Sequence, residues 1–485
     1  MYKRQALEDH GKVADLVQTD SPLRVGLHGS FNRKGFNIVG RVQYKHPAGG
    51  VWNEWYLMFS NGKWGWLAEA QGRTYLTFEK KMTEAASLKT YDELEIGGTF
   101  DTEAGGVFTV VEKNTATGLT AEGEIPWAFR PNQRMVFADL EGPEGRFASI
   151  EFEEGKPVAA FVGQQVKLDD LGLPLEKEDY GAFETSNTKA ISLNCPNCAG
   201  PLALHAPDST ERVVCPHCAS MLDATQGKLE YFSTLKMRKV KPVLPLGTSG
   251  KFRGNEYTII GFMERYTTYA GTVYPWTEYL LHSSAIGFRW LIHSEGHWSF
   301  AEPISPADLT HSVRGLSHNG DSFRLFDKGR AMVRYVVGEF YWKVSLGEEA
   351  ETSDYIAPPR MISIEKTESY SGGEVNVSVA SHVPHEELEE AFGVEELWRP
   401  WSVGPCQPAP KNGGVYGMWM LFGGLLFFVN ILFSMFGSKP VDQWLFFYAL
   451  IFASVIPLGT MFHAYQFEVN RWKESDYSPY ASDDD

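Results

Sequence analysis

The feature that most constrains this chain is that it is written twice. WNEWYL at Trp52–Leu57 returns as WTEYLL at Trp276–Leu281, and the flanks keep the same order of landmarks. Gly29, Phe31, Phe36, Ile38 and Gly40 match Gly250, Phe252, Tyr257, Ile259 and Gly261 at an offset of 221. A longer hairpin in the second copy moves the offset to 224, where Trp66, Leu67 and Gly72 match Trp290, Leu291 and Gly296. Farther on, Gly123-Glu124 and Trp127 match Gly338-Glu339 and Trp342, Asp139 matches Asp354, and Ser149-Ile150-Glu151 matches Ser363-Ile364-Glu365. Each copy, 23–165 and 236–384, is long enough to bury a core.

Within a copy, short runs rich in β-branched and aromatic residues alternate with Gly, Asn or Ser turns, as in NIVGRVQY, WNEWYLMFS, EYTIIGFMERY and EVNVSVASHV. Seven or so such runs predict two mainly β, antiparallel sandwich or open-barrel domains. Helices are expected near 5–18 in the N-terminal segment 1–22, and over the acidic HEELEEAFGVEELW in 385–410, which would space the second copy from a membrane.

Two uncharged apolar runs of 22 residues, Val415–Phe436 and Trp444–Tyr465, are each long enough to span a bilayer, and GSKPVDQ between them suits a tight hairpin. Arg399, Lys411, Arg471 and Lys473 flank the hairpin outside, against Lys439 in its loop. That bias predicts both termini, the bulk of the chain and the acidic tail 466–485 on the cytosolic side of a membrane. The start of the chain has no secretory apolar stretch. With 44 basic and 61 acidic residues the net charge is −17, so no nucleic-acid partner is expected.

Four of the five cysteines fall in CPNC (Cys195, Cys198) and CPHC (Cys215, Cys218), sixteen residues apart, in the segment 191–235 that follows a linker at 166–190. The spacing predicts a four-thiolate ribbon. All four positions are filled, so the metal is structural; zinc is the default and iron remains chemically open. His205 and His217 could substitute as ligands, Cys406 is left as a free thiol, and KMRKVK at 236–241 is a solvated linker.

The repeated acids, Glu54 with Glu278, Glu124 with Glu339, Asp139 with Asp354 and Glu151 with Glu365, fit two roles. Beside Trp52, Trp127, Trp276 and Trp342 a carboxylate can hold a cation by charge and ring face; it can equally cap a turn or satisfy a strand-end amide. Catalytic motifs fail: HSEGH (293–297) and HVPHEE (382–387) lack the metalloprotease orders, and GTSGK (247–251) has the wrong glycine spacing for a phosphate loop. No catalytic residue is assigned.

The Gly-Glu-x-x-Trp and Trp-x-Glu-aromatic segments and the later Asp, taken together, resemble the bacterial family called domain of unknown function 4178, in both copies. The family has no established activity. The resemblance implies an accessory protein, associated with an aminopropyltransferase-like enzyme and small membrane proteins, in polyamine-linked or envelope-stress biology. The sequence thus points to a membrane-anchored scaffold or adaptor for protein partners, with a polyamine- or cation-sensing module, or an accessory enzyme, as alternatives.

Overall fold

The structure is a computed structural model. It describes Leu16 and residues 21–480, apart from 48, 71–72, 81–89, 102–105, 153–157, 176–190, 207–208, 226–227, 237–239, 270, 313–314, 370–371, 411–413 and 438–442. The helix expected near 5–18 lies outside the described residues except for Leu16.

Copy one carries β1 (Lys34–Lys45), β2 (Val51–Phe59), β3 (Trp64–Ala70), β4 (Arg73–Lys80), β5 (Val107–Gly123), β6 (Arg134–Gly142), β7 (Arg146–Phe152) and β8 (Ala159–Val166). They pair antiparallel in the ring β1-β2-β3-β4-β8-β7-β6-β5, and β5 returns to β1. The ribbon follows with β9 (Ile191–Asn194), β10 (Pro201–Leu204), β11 (Arg212–Val214), β12 (Ser220–Thr225) and β13 (Lys228–Thr234). Copy two repeats the ring with β14 (Asn255–Tyr269), β15 (Thr272–Ser283), β16 (Gly287–Ser294), β17 (His297–Ile304), β18 (Asp321–Phe340), β19 (Glu349–Ala357), β20 (Arg360–Ser369) and β21 (Gly372–Val383), closed by β18 on β14. Each copy is therefore an eight-stranded antiparallel barrel. Of the two forms expected, the barrel is present, and it is closed rather than open; closure removes the edges an open sheet would expose.

The repeated glycines mark where each ring closes. Gly40 pairs with Gly123 and Gly261 with Gly338, each next to a bulge in the first strand of its copy. A Cβ on Gly40 would sit 1.9 Å from the Glu124 carbonyl oxygen, and one on Gly261 2.5 Å from that of Glu339. Gly123 and Gly338 also have φ of 71° and 94°, a region costly for L side chains. The Gly-Glu motif is in this respect a backbone requirement.

The barrels are not beads on a string. Phe108, Leu140 and Ile150 of copy one and Leu316, Phe323, Ile362 and Val377 of copy two belong to one buried cluster. Strand β5 also pairs with β21 at Lys113–Gly373 and Glu112–Glu374.

The acidic segment differs from its expected role. Only α1 (His385–Phe392) is helical, ended by Gly393 at φ 62°. Its Leu388 and Phe392 join the core cluster of barrel two, so it packs on the barrel instead of spacing it from a membrane. The apolar helices are α2 (Val415–Phe436) and α3 (Gln443–Arg471); each contains a stretch long and apolar enough to cross a bilayer, and almost none of the residues in these stretches is buried. Helix α3 outruns the predicted span. Beyond it Trp472 packs on Phe326 of barrel two, and Arg471 donates to the carbonyls of Gly404 and Pro405.

Candidate functional site

The ribbon is built from two similar turns. Ala199 N–H donates to Cys195 O and Ala219 N–H to Cys215 O, and both alanines have φ of 57°. The four Sγ atoms lie within 4.8 Å of one another, with Cys195–Cys218 at 3.8 Å and Cys198–Cys215 at 3.9 Å. A tetrahedral ion bonded to thiolates at about 2.3 Å needs S···S separations of about 3.8 Å, so the cluster is dimensioned to hold one metal ion. Neither histidine completes it: His217 Nε2 lies 3.2 Å from the Pro201 carbonyl and His205 turns to Glu339.

Glu339 keys the ribbon to barrel two. Its carboxylate accepts from His205 N–H at 2.8 and 2.9 Å, Ala206 N–H at 3.0 Å and the Thr210 hydroxyl at 3.0 Å, and His205 Nδ1 lies 2.9 Å away. Beside it β11 pairs with the end of β18, Val214 with Gly338 and Arg212 with Phe340. Trp342 packs in the same cluster with the ribbon's Val214 and Met221. On the other side the ribbon's Glu211 carboxylate accepts from the backbone of Gly50 in copy one. Replacing Glu339 by Gln is expected to leave a buried amide without an acceptor and to weaken ribbon docking by about 2 kcal/mol, read as faster proteolysis within 191–235 of the full-length chain. The matched change Glu124→Gln, on an exposed residue, is expected to stay within about 0.5 kcal/mol of wild type.

Inside barrel two the acids surround one guanidinium. Arg265 on β14 reaches Glu365 on β20 in a two-pronged pair at 2.8 and 3.0 Å, although β18 and β19 stand between those strands in the ring; the pair therefore spans the barrel interior. The same Arg265 lies 3.2 Å from Glu278, which also accepts from Trp276 Nε1 at 2.6 Å. Burial alone would lower the Arg265 pKa, but Glu365 and Glu278 hold it raised. Nearby, burial pushes Asp354 up to about 7 despite a hydrogen bond from Ser363.

Barrel one repeats the acids without the arginine. Trp52 Nε1 donates to Glu54 at 3.1 Å, as Trp276 does to Glu278, but Tyr44 stands at the position matching Arg265. Its hydroxyl faces the same two acids: burial first, then Glu54 and Glu151, drive its pKa well up. Burial raises Glu54 to about 7, and burial with Glu112 raises Asp139 far above the usual range. Arg73 pairs instead with Glu141 at 3.2 Å.

A folded pKa near 7 for Glu54 against about 4.5 unfolded means that the folded state binds the extra proton between those values. Its contribution is fully present below about pH 4.5 and is lost as pH rises through 7. Glu54→Gln is therefore expected to raise stability at pH 8 by about 2 kcal/mol, a figure reduced from the full linkage value because the side chain is partly solvated, and to leave pH 4.5 little changed. Denaturant midpoints at the two pH values check this.

The proposed ligand residues thus do not form one site. Glu339 and Trp342 belong to the ribbon seat, Glu278 and Trp276 to the arginine cluster, Glu54 and Trp52 to the interior of barrel one, and Glu124 and Trp127 to its surface. Arg265 and Tyr44 were missed, although the offset of 221 sets them side by side. The two histidines of HSEGH flank a hairpin turn: His293 stacks on Trp298 and His297 Nε2 lies 3.1 Å from Ser402 Oγ.

No curated protein matches the chain. A solved structure of MucB in complex with MucA(peri) covers 76% of this chain and 95% of its own at 10% identity and a TM-score of 0.10, and the MucA/MucB complex of Pseudomonas aeruginosa covers 75% and 94% at 10% and 0.09. Neither likeness carries weight. The family profile described as Domain of unknown function (DUF4178) matches residues 24–168 and 245–385, more than half of the sequence and the two barrels just described. The chain belongs to the DUF4178 family, as a tandem member with a four-cysteine cluster between its copies and two long apolar helices at its C-terminal end.

Proposed function

We propose that this protein is a membrane-anchored scaffold whose barrels and ribbon present a fixed protein-binding surface on the cytosolic face of a bacterial inner membrane. The observation that carries this reading is the shared core of the two barrels, reinforced by a ribbon that contacts both copies. Such a body holds surface residues in constant relation, which favours recognition of a folded partner. In this reading α2 and α3 are the anchor, the lysines and arginines outside the hairpin set its orientation, and a structural zinc ion fills the cysteine cluster. The partner classes are membrane-associated or cytosolic proteins, among them an aminopropyltransferase-like enzyme and small membrane proteins. Gentle extraction of the full-length protein at native abundance, followed by mass spectrometry, tests this: a stoichiometric partner supports the scaffold, and a protein emerging alone counts against it.

One observation favours a second reading. Among the described residues no guanidinium meets Glu54 as Arg265 meets its counterpart Glu278, which suits an ammonium-bearing ligand such as a polyamine. Calorimetric titration with spermidine decides it, since heat no larger than that of simple salt removes the idea.

A further inference from the structure

The duplicated design provides one seat for a ribbon in each copy, and the chain fills one of them. In barrel two the cluster beneath the ribbon includes Ile260, Met263, Leu280, Val336, Phe340 and Val344, together with the ribbon's own Ala206, Val214 and Met221. Subtracting the offsets gives Val39, Val42, Tyr56, Ala121, Ile125 and Phe129, and these residues form a single cluster in barrel one. Among the described residues, that second cluster contains none from the ribbon.

Four of these positions, buried beneath the ribbon in barrel two as Ile260, Val336, Phe340 and Val344, are half-buried in barrel one as Val39, Ala121, Ile125 and Phe129. Trp64 and Trp127, the counterparts of Phe288 and Trp342, are 44% and 39% exposed. They end a run of rings in which Trp64 stacks on Tyr56 at 4.8 Å, Tyr56 meets Trp66 at 4.6 Å and Trp66 meets Trp127 at 5.3 Å. Met58 on the same face is 38% exposed. Glu124 is the counterpart of Glu339, which is 2% exposed and takes ribbon amides, yet Glu124 stands in solvent. Two solvent-facing tryptophans with an exposed carboxylate three residues from one of them have the composition of an interface hot spot.

We infer that this face of barrel one is a docking site for a ribbon-like β-hairpin of a partner protein. The occupant's chemistry is set by what sits on barrel two. A short strand adds to the end of β5 as β11 adds to β18, small and branched apolar side chains cover the tryptophans, and a neighbouring turn aims consecutive free N–H groups at Glu124. The inference rests on the scaffold reading and gives it a location.

Photo-crosslinking tests it, with p-benzoylphenylalanine placed at Trp64 or Trp127 of the full-length protein in its native membranes. The same probe at Trp342 serves as the control and is expected to join the chain's own ribbon. The expected result is an adduct whose mass-mapped partner peptide is a strand and turn, with a yield that falls at least tenfold in Glu124→Arg while the Trp342 control is unchanged. Adducts confined to this chain or to a second copy of it overturn the inference, as does a partner adduct indifferent to Glu124→Arg. If a partner co-purifies stoichiometrically but neither probe touches it, the seat is wrong and the scaffold stands. If no partner exists at all, both fall.

Discussion

Arg265→Met lowers the stability of the full-length protein by about 3 kcal/mol, because it strands buried Glu278, and half-buried Glu365 beside it, without a counter-charge. The penalty comes from the acids left behind more than from the loss of the pair itself, since replacing a whole buried ion cluster by apolar residues is often neutral. The triple change Arg265→Met, Glu278→Gln, Glu365→Gln is accordingly expected to recover at least half of the loss. Denaturant midpoints with unchanged slopes are the measurement; a single mutant within about 1 kcal/mol of wild type would show that the acids protonate freely instead. The reciprocal change, Tyr44→Arg, tests the same geometry in barrel one, where it is expected to depress the titration of Glu54 rather than disrupt the fold.

Disabling the four-cysteine cluster is expected to have a comparable effect in another place. Cys195 and Cys215 are buried, and around them the ribbon's apolar cluster comprises little more than Leu202, Leu204, Val213 and Leu222. So small a core is not expected to hold a fold by itself, and where a metal binds such a module the binding is itself folding free energy, about 10–16 kcal/mol for zinc peptides. Cys215→Ser, or strong chelation, is expected to unfold 191–235 and to free Glu339 while the barrels persist. Limited proteolysis confined to that segment, with far-UV spectra otherwise retained, is the predicted signature. An intact ribbon after verified metal loss would refute the structural role.

Much of this architecture was legible in the residues because local pattern carries it. Alternation gave the strands, apolar length gave α2 and α3, and paired Cys-Pro-x-Cys turns gave the metal cluster. Ring closure was not legible, because the pairing of β5 with β1 joins residues some eighty positions apart and no local signal encodes it. The repeated glutamates stand out in the sequence, but their neighbours do not. Equal positions in two copies imply equal geometry, yet Glu339 meets a ribbon and Glu124 meets water, so a difference of neighbours separates them. Tyr44 against Arg265 could have been read from the alignment alone: one copy places a cation where three repeated acids converge, and the other does not.

The core shared by the two copies bears on where this chain can be cut. Residues 166–190 look like a linker between independent modules, but the cluster holding Phe108 and Ile150 of one barrel against Phe323 and Val377 of the other extends past that boundary. Either half expressed alone would expose that contact to water, so it should aggregate rather than serve as a tractable fragment. In calorimetry both barrels should melt in a single transition, which damage made at Arg265 shifts as a whole. The unit on which selection acts is then the pair, and a substitution in one copy is judged by what it does to the other.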